Sequence, residues 1–134
     1  RMAARLGESL VENKGYNRED VVTRYFNWYK GPPHDAEKAF DTGATFQITM
    51  NHFATSHDID KASEFTLEKT NSAGINPAHR AAPLACCKFI STDDLVAIAK
   101  QESMITHKHV ISQELCSIMN VMCRSLIEGS TWNE

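Results

Sequence analysis

Apolar side chains recur at three- and four-residue intervals through most of the sequence, whereas the alternating Val, Ile and Thr runs that build half-buried strands are scarce. That period gathers the apolar groups on one side of a helix, so the expected fold class is all-α. A chain of 134 residues buries roughly two-thirds of the surface its unfolded form exposes, enough for a core without disulfide or metal staples.

The punctuation between the periodic stretches divides them. Met2, Leu6, Leu10 and Val11 describe one face of a first helix ending near Asn13-Lys14-Gly15, where a glycine follows a cation. Asn17 is placed to cap a second helix with Val21, Val22, Tyr25, Phe26 and Tyr29 on its inner side. Gly31-Pro32-Pro33 stops it, because two prolines remove two backbone donors. After a loop over 34–45, Phe46, Ile48, Met50 and Phe53 predict a third helix to about Ser56. Asp58 caps a fourth through Lys69, whose Ala62, Phe65 and Leu67 give a thin apolar face. Residues 70–77 hold a glycine, a proline and two asparagines, the composition of an ordered turn. A short buried helix follows over 78–89, with Pro83 either kinking it or opening its main run. Ser91, with acids at Asp93 and Asp94, opens the next helix, lined by Leu95, Ile98, Ala99 and Met104 or Ile105. The last and longest runs from about His109 to Glu128. Its expected buried stripe is Val110 or Ile111, Leu115, Ile118, Met119, Met122 and Leu126, and Gly129 terminates it.

The charge balance, 14 Lys+Arg against 17 Asp+Glu, lacks the positive field that draws a protein non-specifically to phosphates, so no nucleic-acid partner is expected. No window holds the roughly 18 apolar residues of a membrane span, and the first ten residues lack the apolar run of a secretory signal. Cys86 and Cys87 are adjacent, and Cys116 and Cys123 sit within an apolar stripe. They read as buried thiols of a reducing, intracellular compartment rather than as a disulfide framework or zinc site. The sequence starts in mid-pattern at Arg1, as the middle of a larger fold would.

The residues that offer chemistry are few. Neither His52 with His57 nor His107 with His109 has the i, i+4 spacing of a helical metal pair, and His34, His52, His57 and His109 read as surface or partly buried imidazoles. His107 differs because it follows Thr106 at a junction between helices, where a side chain can point into a cleft and stay neutral. Asp41, in Asp41-Thr42-Gly43-Ala44-Thr45, reads first as a cap for the third helix. The stretch Asn71-Ser72-Ala73-Gly74-Ile75-Asn76 leads into a helix bearing Arg80, so its amides and that guanidinium could meet an anionic ligand. Trp28, Tyr29 and Trp132 read as core or inter-helix anchors.

Four stretches taken in order resemble a known family. They are Ala3 to Leu10 with Tyr25-Phe26-Asn27-Trp28; Phe40-Asp41-Thr42-Gly43-Ala44-Thr45; Asn71 to Leu84, above all Ala78-His79-Arg80-Ala81-Ala82-Pro83-Leu84; and Ile105-Thr106-His107 followed by Cys123 to Gly129. Together they resemble the middle of the ADP-ribosylglycohydrolases, magnesium- or manganese-dependent enzymes that remove ADP-ribose from side chains, and the related jellyfish lens crystallins. The resemblance implies an orthogonal helical bundle of about twice this length, of which residues 1–134 form one incomplete helical domain. It also implies a site. Asp41 would lie near the metal centre, Ser72, Ala73, Gly74, Ile75 and Asn76 would wrap the ADP-ribose with Arg80 close by, and His107 would face the ribose.

The family's metal ligands come from a Thr-Asp-Asp-Thr motif and an Asp-x-Asp-Thr motif, and neither is present. Thr92-Asp93-Asp94 has part of the first spelling but falls at a helix cap, and Asp58-Ile59-Asp60 is out of place. Each hard cation needs several oxygen ligands, so magnesium or manganese is not expected to bind this chain alone. Two functional classes follow: part of a hydrolase whose metal ligands lie elsewhere, or a non-catalytic scaffold or interaction subunit like the crystallins. Both expect another protein chain, or further parts of the same fold, packed against this one.

Overall fold

The computed structural model describes residues 1–31 and 42–133. Among them are eight helices and no strand: α1 (Met2–Asn13), α2 (Arg18–Lys30), α3 (Ala44–Ser56), α4 (Ile59–Thr70), α5 (Asn76–Arg80), α6 (Ala82–Cys86), α7 (Thr92–Met104) and α8 (Val110–Ile127). The all-α expectation holds.

Local chemistry sets the helix ends. The Asn17 side chain accepts from the Asp20 amide, Asp58 Oδ1 from the amides of Asp60 and Lys61, and Ser91 Oγ from the amide of Asp94. Each satisfies donors that the first helical turn leaves without partners. The left-handed residue that closes α1 is Lys14, φ 52°, one position before the expected glycine. Asn71 closes α4 in the same conformation, φ 44°, and its N–H donates to the Leu67 carbonyl at 2.7 Å. The single helix expected over 78–89 is instead two five-residue helices that meet at Ala81, and Pro83 opens the second. Gly43, at φ 79°, stands at the N-cap of α3 without a side-chain cap. Asp41, the alternative cap, lies outside the described residues.

The core is apolar where α1, α2, α3, α6 and α7 contribute to it. Leu6, Val21, Tyr25, Phe46, Met50, Leu84, Leu95, Ala99 and Ile105 are buried there. Phe46 is its hub, with the rings of Tyr25, Trp28 and Tyr29 at 6.3, 6.2 and 5.6 Å between centroids. Edge contacts of this kind add about 0.5–1.5 kcal/mol to area burial. Trp132 is exposed and anchors nothing in this core. The inner face of α4 is Ala62, Ser63 and Thr66, while Phe65 lies outside, stacked on His52 at 4.3 Å.

The stripe expected to be buried on α8 is the exposed one. Val110, Ile111, Leu115, Ile118, Met119 and Met122 face out, whereas Ser112, Cys116, Ser117, Asn120 and Arg124 face in. Small inner residues let α8 pack on α5, α6 and α7. Arg124 then reaches through to the carbonyls of Leu84, Ala85, Cys87 and Ile90 at 2.6–3.1 Å. Those carbonyls belong to the end of α6 and the turn after it, where helix geometry leaves acceptors open. One guanidinium thus staples three elements. Of the four cysteines, all free, Cys116 is buried, Cys87 and Cys123 are partly buried, and Cys86 is exposed. The expectation of four buried thiols holds fully for Cys116 alone.

Candidate functional site

Five pieces of chain converge around the coil at residues 71–75: the start of α3, α5, the end of α7, the α7–α8 junction and the first turn of α8. Ser72 Oγ accepts from the Thr45 hydroxyl at 3.0 Å and from the Gly74 amide at 3.3 Å. The Ser112 hydroxyl donates to the Gly74 carbonyl at 2.8 Å. The coil is therefore pinned from both sides, with Ser72, Gly74 and Asn76 half-buried and Ala73 and Ile75 exposed.

The His107 ring lies against Gly74. A β-carbon at position 74 would sit 3.2 Å from His107 Nε2 and 3.3 Å from Ser72 Oγ, closer than most such atoms tolerate, so the close approach of ring and hydroxyl to the backbone here requires glycine. Only 3% of His107 is exposed. Its backbone is held through the Ser103 hydroxyl, which donates to the His107 carbonyl at 3.2 Å.

Behind the ring lies a buried polar network. Arg80 Nη1 donates to Thr106 Oγ1 at 2.8 Å, and Thr106 Oγ1 is 2.8 Å from His107 Nδ1. Arg80 Nε donates to Glu102 Oε1 at 2.6 Å, its Nη2 to the Glu102 carbonyl at 3.0 Å, and its Nη1 to Asn76 Oδ1 at 3.4 Å. The Tyr25 hydroxyl also donates to Glu102 Oε1, at 2.8 Å. Arg80, expected beside an anionic ligand, thus turns inward and binds Glu102, and its guanidinium packs 5.0 Å from the centroid of the Tyr25 ring. Glu102 Oε2 and the Tyr16 hydroxyl are buried without a partner among the described residues.

The electrostatics follow from burial beside these charges. Desolvation, reinforced by the Arg80 cation, lowers the His107 pKa to about 3, so the ring is neutral at ordinary pH. Burial, with Glu102 adding repulsion, pushes the Cys116 thiol up to about 12, which makes it an inert core group. Tyr16 and Tyr25 are raised by the same pair of causes.

The structure brings together His107, Ser72, Gly74 and Asn76, with Arg80 one layer behind, while Asp41 lies outside the described residues. Three members of the site escaped the sequence reading. Glu102 carried a signal, since Leu95, Ala99 and Glu102 fall at i, i+4 and i+7, which puts a carboxylate on a buried stripe. Thr106 and Ser112 carried none, because a hydroxyl near a helix end reads first as a cap. The resemblance implies a metal-dependent enzyme. No three His, Cys, Asp or Glu side chains among the described residues cluster to hold an ion, and these residues do not fit a metal centre.

No curated protein and no solved structure matches the chain. The family model for ADP-ribosylglycohydrolase, however, matches residues 1–134. With that match over the full sequence, and helices alone among the described residues, the chain belongs to the ADP-ribosylglycohydrolase family.

Proposed function

We propose that residues 1–134 supply the ADP-ribose-recognising part of a hydrolase that removes ADP-ribose from modified protein side chains. The observation that carries this reading is the packing of His107 and Ser72 together against Gly74. Ser72 Oγ accepts two hydrogen bonds within the protein, so its own O–H is left for a ligand oxygen. The neutral His107 binds rather than transfers a proton. Arg80 supports the site from behind instead of touching the ligand, and any metal needs oxygen ligands besides those described. Calorimetry with ADP-ribose and magnesium tests the reading. Binding is expected, together with its loss in Gly74→Ala, whose methyl presses on His107 Nε2 and Ser72 Oγ while leaving the helical circular-dichroism signal intact. No heat at millimolar ADP-ribose would sink the idea.

The exposed apolar face of α8 favours a second contribution, as an interaction surface. Exposed contiguous apolar patches usually mark protein contacts, and the spacing of Ile111, Leu115, Ile118 and Met122 suits an opposing helix. This reading holds whether or not the chain takes part in catalysis. A clean monomer of residues 1–134 in sedimentation velocity would count against association between copies or with added helical partner.

A further inference from the structure

We propose that Arg80 and Thr106 are positioning residues that fix His107 as the Nε2–H tautomer, so that the ring presents a hydrogen-bond donor, and no base, to an acceptor oxygen lodged beside Gly74 and Ser72. The consequence for a ligand rests on the reading of residues 72–76 as a recognition coil. The tautomer does not.

The protons around one oxygen, Thr106 Oγ1, fix the tautomer. Thr106 Oγ1 is 2.8 Å from Arg80 Nη1, and a guanidinium can only donate, so the threonine oxygen accepts there. The hydroxyl has one hydrogen left to place. Thr106 is buried, and among the described residues the one acceptor within reach is His107 Nδ1, also at 2.8 Å. The reverse arrangement, with Nδ1–H donating to the threonine, would leave the hydroxyl hydrogen buried without an acceptor, which costs about 1–3 kcal/mol. Nδ1 is therefore the acceptor and the ring's single proton is on Nε2. Protonating both nitrogens would place a second cation next to Arg80 in a dry site, and the lowered pKa of His107 agrees with that.

The order of the relay matters. Glu102 holds Nε of Arg80 at 2.6 Å and its own carbonyl takes Nη2 at 3.0 Å, which leaves Nη1 aimed at Thr106. Nε2 then faces the point where a Gly74 β-carbon would stand, and no described residue bonds to it. A donor on His107 and the hydroxyl of Ser72 thus flank Gly74 together. Two neutral donors suit a hydroxyl or phosphoryl oxygen and offer nothing to a ligand N–H.

The test is imidazole nitrogen NMR on the 15N-histidine protein, with His107 assigned by its disappearance in His107→Gln. The expected spectrum shows Nδ1 in the unprotonated range and Nε2 in the protonated range, unchanged between about pH 5 and 8, where an ordinary histidine titrates. Thr106→Val should move the two nitrogens toward one another as the tautomers mix, and Thr106→Ser should restore the original pattern. An Nδ1–H pattern in the unaltered protein, a doubly protonated ring in that pH range, or a Thr106→Val spectrum identical to the original overturns the proposal. If Thr106→Val does not fold, the unaltered and Thr106→Ser spectra decide between the same outcomes. Added ADP-ribose should shift Nε2 and leave Nδ1 in place. Absence of that shift removes the ligand reading, while the tautomer stands or falls on the spectra taken without ligand.

Discussion

The α1–α3 side of the molecule and the α7–α8 side are built on opposite plans. In α1 the apolar Leu6 and Leu10 point inward while Glu8 and Glu12 form ion pairs at the surface with Arg24. In α8 the inward residues are Ser112, Cys116, Asn120 and Arg124, and the apolar Ile111, Leu115 and Ile118 meet solvent. The first side is held by area removed from water, with Phe46 among three aromatic rings. The second is held by hydrogen bonds from two buried guanidinium groups, Arg80 and Arg124. Burial of charge stabilises only when every partner is present, so the polar side is geometrically exact but intolerant of single losses.

The largest effects expected set the two plans against each other. Phe46→Ala should destabilise the fold by about 3–5 kcal/mol through lost contacts and a cavity. Arg80→Met should cost a similar amount, about 3–5 kcal/mol, because it strands the Glu102 carboxylate in the interior. Urea unfolding separates the mechanisms. Adding Glu102→Leu to Phe46→Ala should worsen stability further, whereas adding it to Arg80→Met should recover part of the loss. A double variant of Arg80 and Glu102 as costly as the sum of its singles would show that the pair is uncoupled and that the polar side is not organised as described.

Arg124 comes next. Arg124→Leu leaves the carbonyls of Leu84, Ala85, Cys87 and Ile90 without their donor. A stranded buried acceptor costs about 1–3 kcal/mol, and partial access of water to this turn keeps the expected total near about 2–3 kcal/mol. Arg124→Lys should recover little, since one ammonium cannot fork toward several acceptors. Faster amide exchange at Cys87 and Ile90, with α1 unchanged, would confine the damage to the polar side.

Helix limits were legible in the sequence because they depend on neighbours in the chain. Asn17, Asp58 and Ser91 cap where their spelling indicates, and Pro83 opens the helix it was given the choice of opening. The break at Ala81 was legible in part, since Pro83 has no N–H for the carbonyl of His79 and disfavours the helical region at the residue before it; that it becomes a full break rather than a kink goes with Arg80 reaching Glu102, a tertiary fact. The α8 face was misread for a related reason. Periodicity shows that a helix has two unlike sides but not which side meets the rest of the chain, and hydropathy picks the side that Arg124 and Cys116 do not occupy. Of the candidate site, the sequence named the coil at 72–76 and His107, which pack together at Gly74, while the inward turn of Arg80 depends on a carboxylate 22 residues away.

The pH dependence of stability sharpens the comparison at its polar end. His107 is held at a pKa of about 3 against an ordinary value of 6.5. Between those values the unfolded chain binds a proton that the folded one refuses, so stability rises with pH across that window. The stabilisation is complete above about pH 6.5 and is lost as the pH falls. At about 1.4 kcal/mol for each unit, this group alone should leave the fold about 2 kcal/mol less stable at pH 5 than at pH 7. His107→Gln should remove that slope and leave the contribution of the carboxylates, which both proteins share. An equal slope in the two proteins would mean that the ring protonates freely, and the contact beside Gly74 would then carry charge.

The smallest expected effect on stability tests the inversion itself. Ile111, Leu115, Ile118 and Met122 are separated by four, three and four residues, which keeps them on one line along α8, as in the seam of packed helices. Ile118 is 51% exposed, so Ile118→Lys should change the unfolding free energy of residues 1–134 by no more than about 0.5 kcal/mol, as surface substitutions do. Cys116→Lys, two positions away on the inner side, should prevent folding, because it forces a long charged side chain into a fully buried position that holds only a thiol. If Ile118→Lys instead destabilised the isolated chain by more than about 2 kcal/mol, the apolar stripe would be internal and the two plans would collapse into one. If it left the fold intact but abolished association with a helical partner or with further parts of the same protein, the seam would be an interface. The polar interior of α8 is then intelligible, since its apolar side is committed elsewhere and hydrogen bonds are left to hold it to α5, α6 and α7.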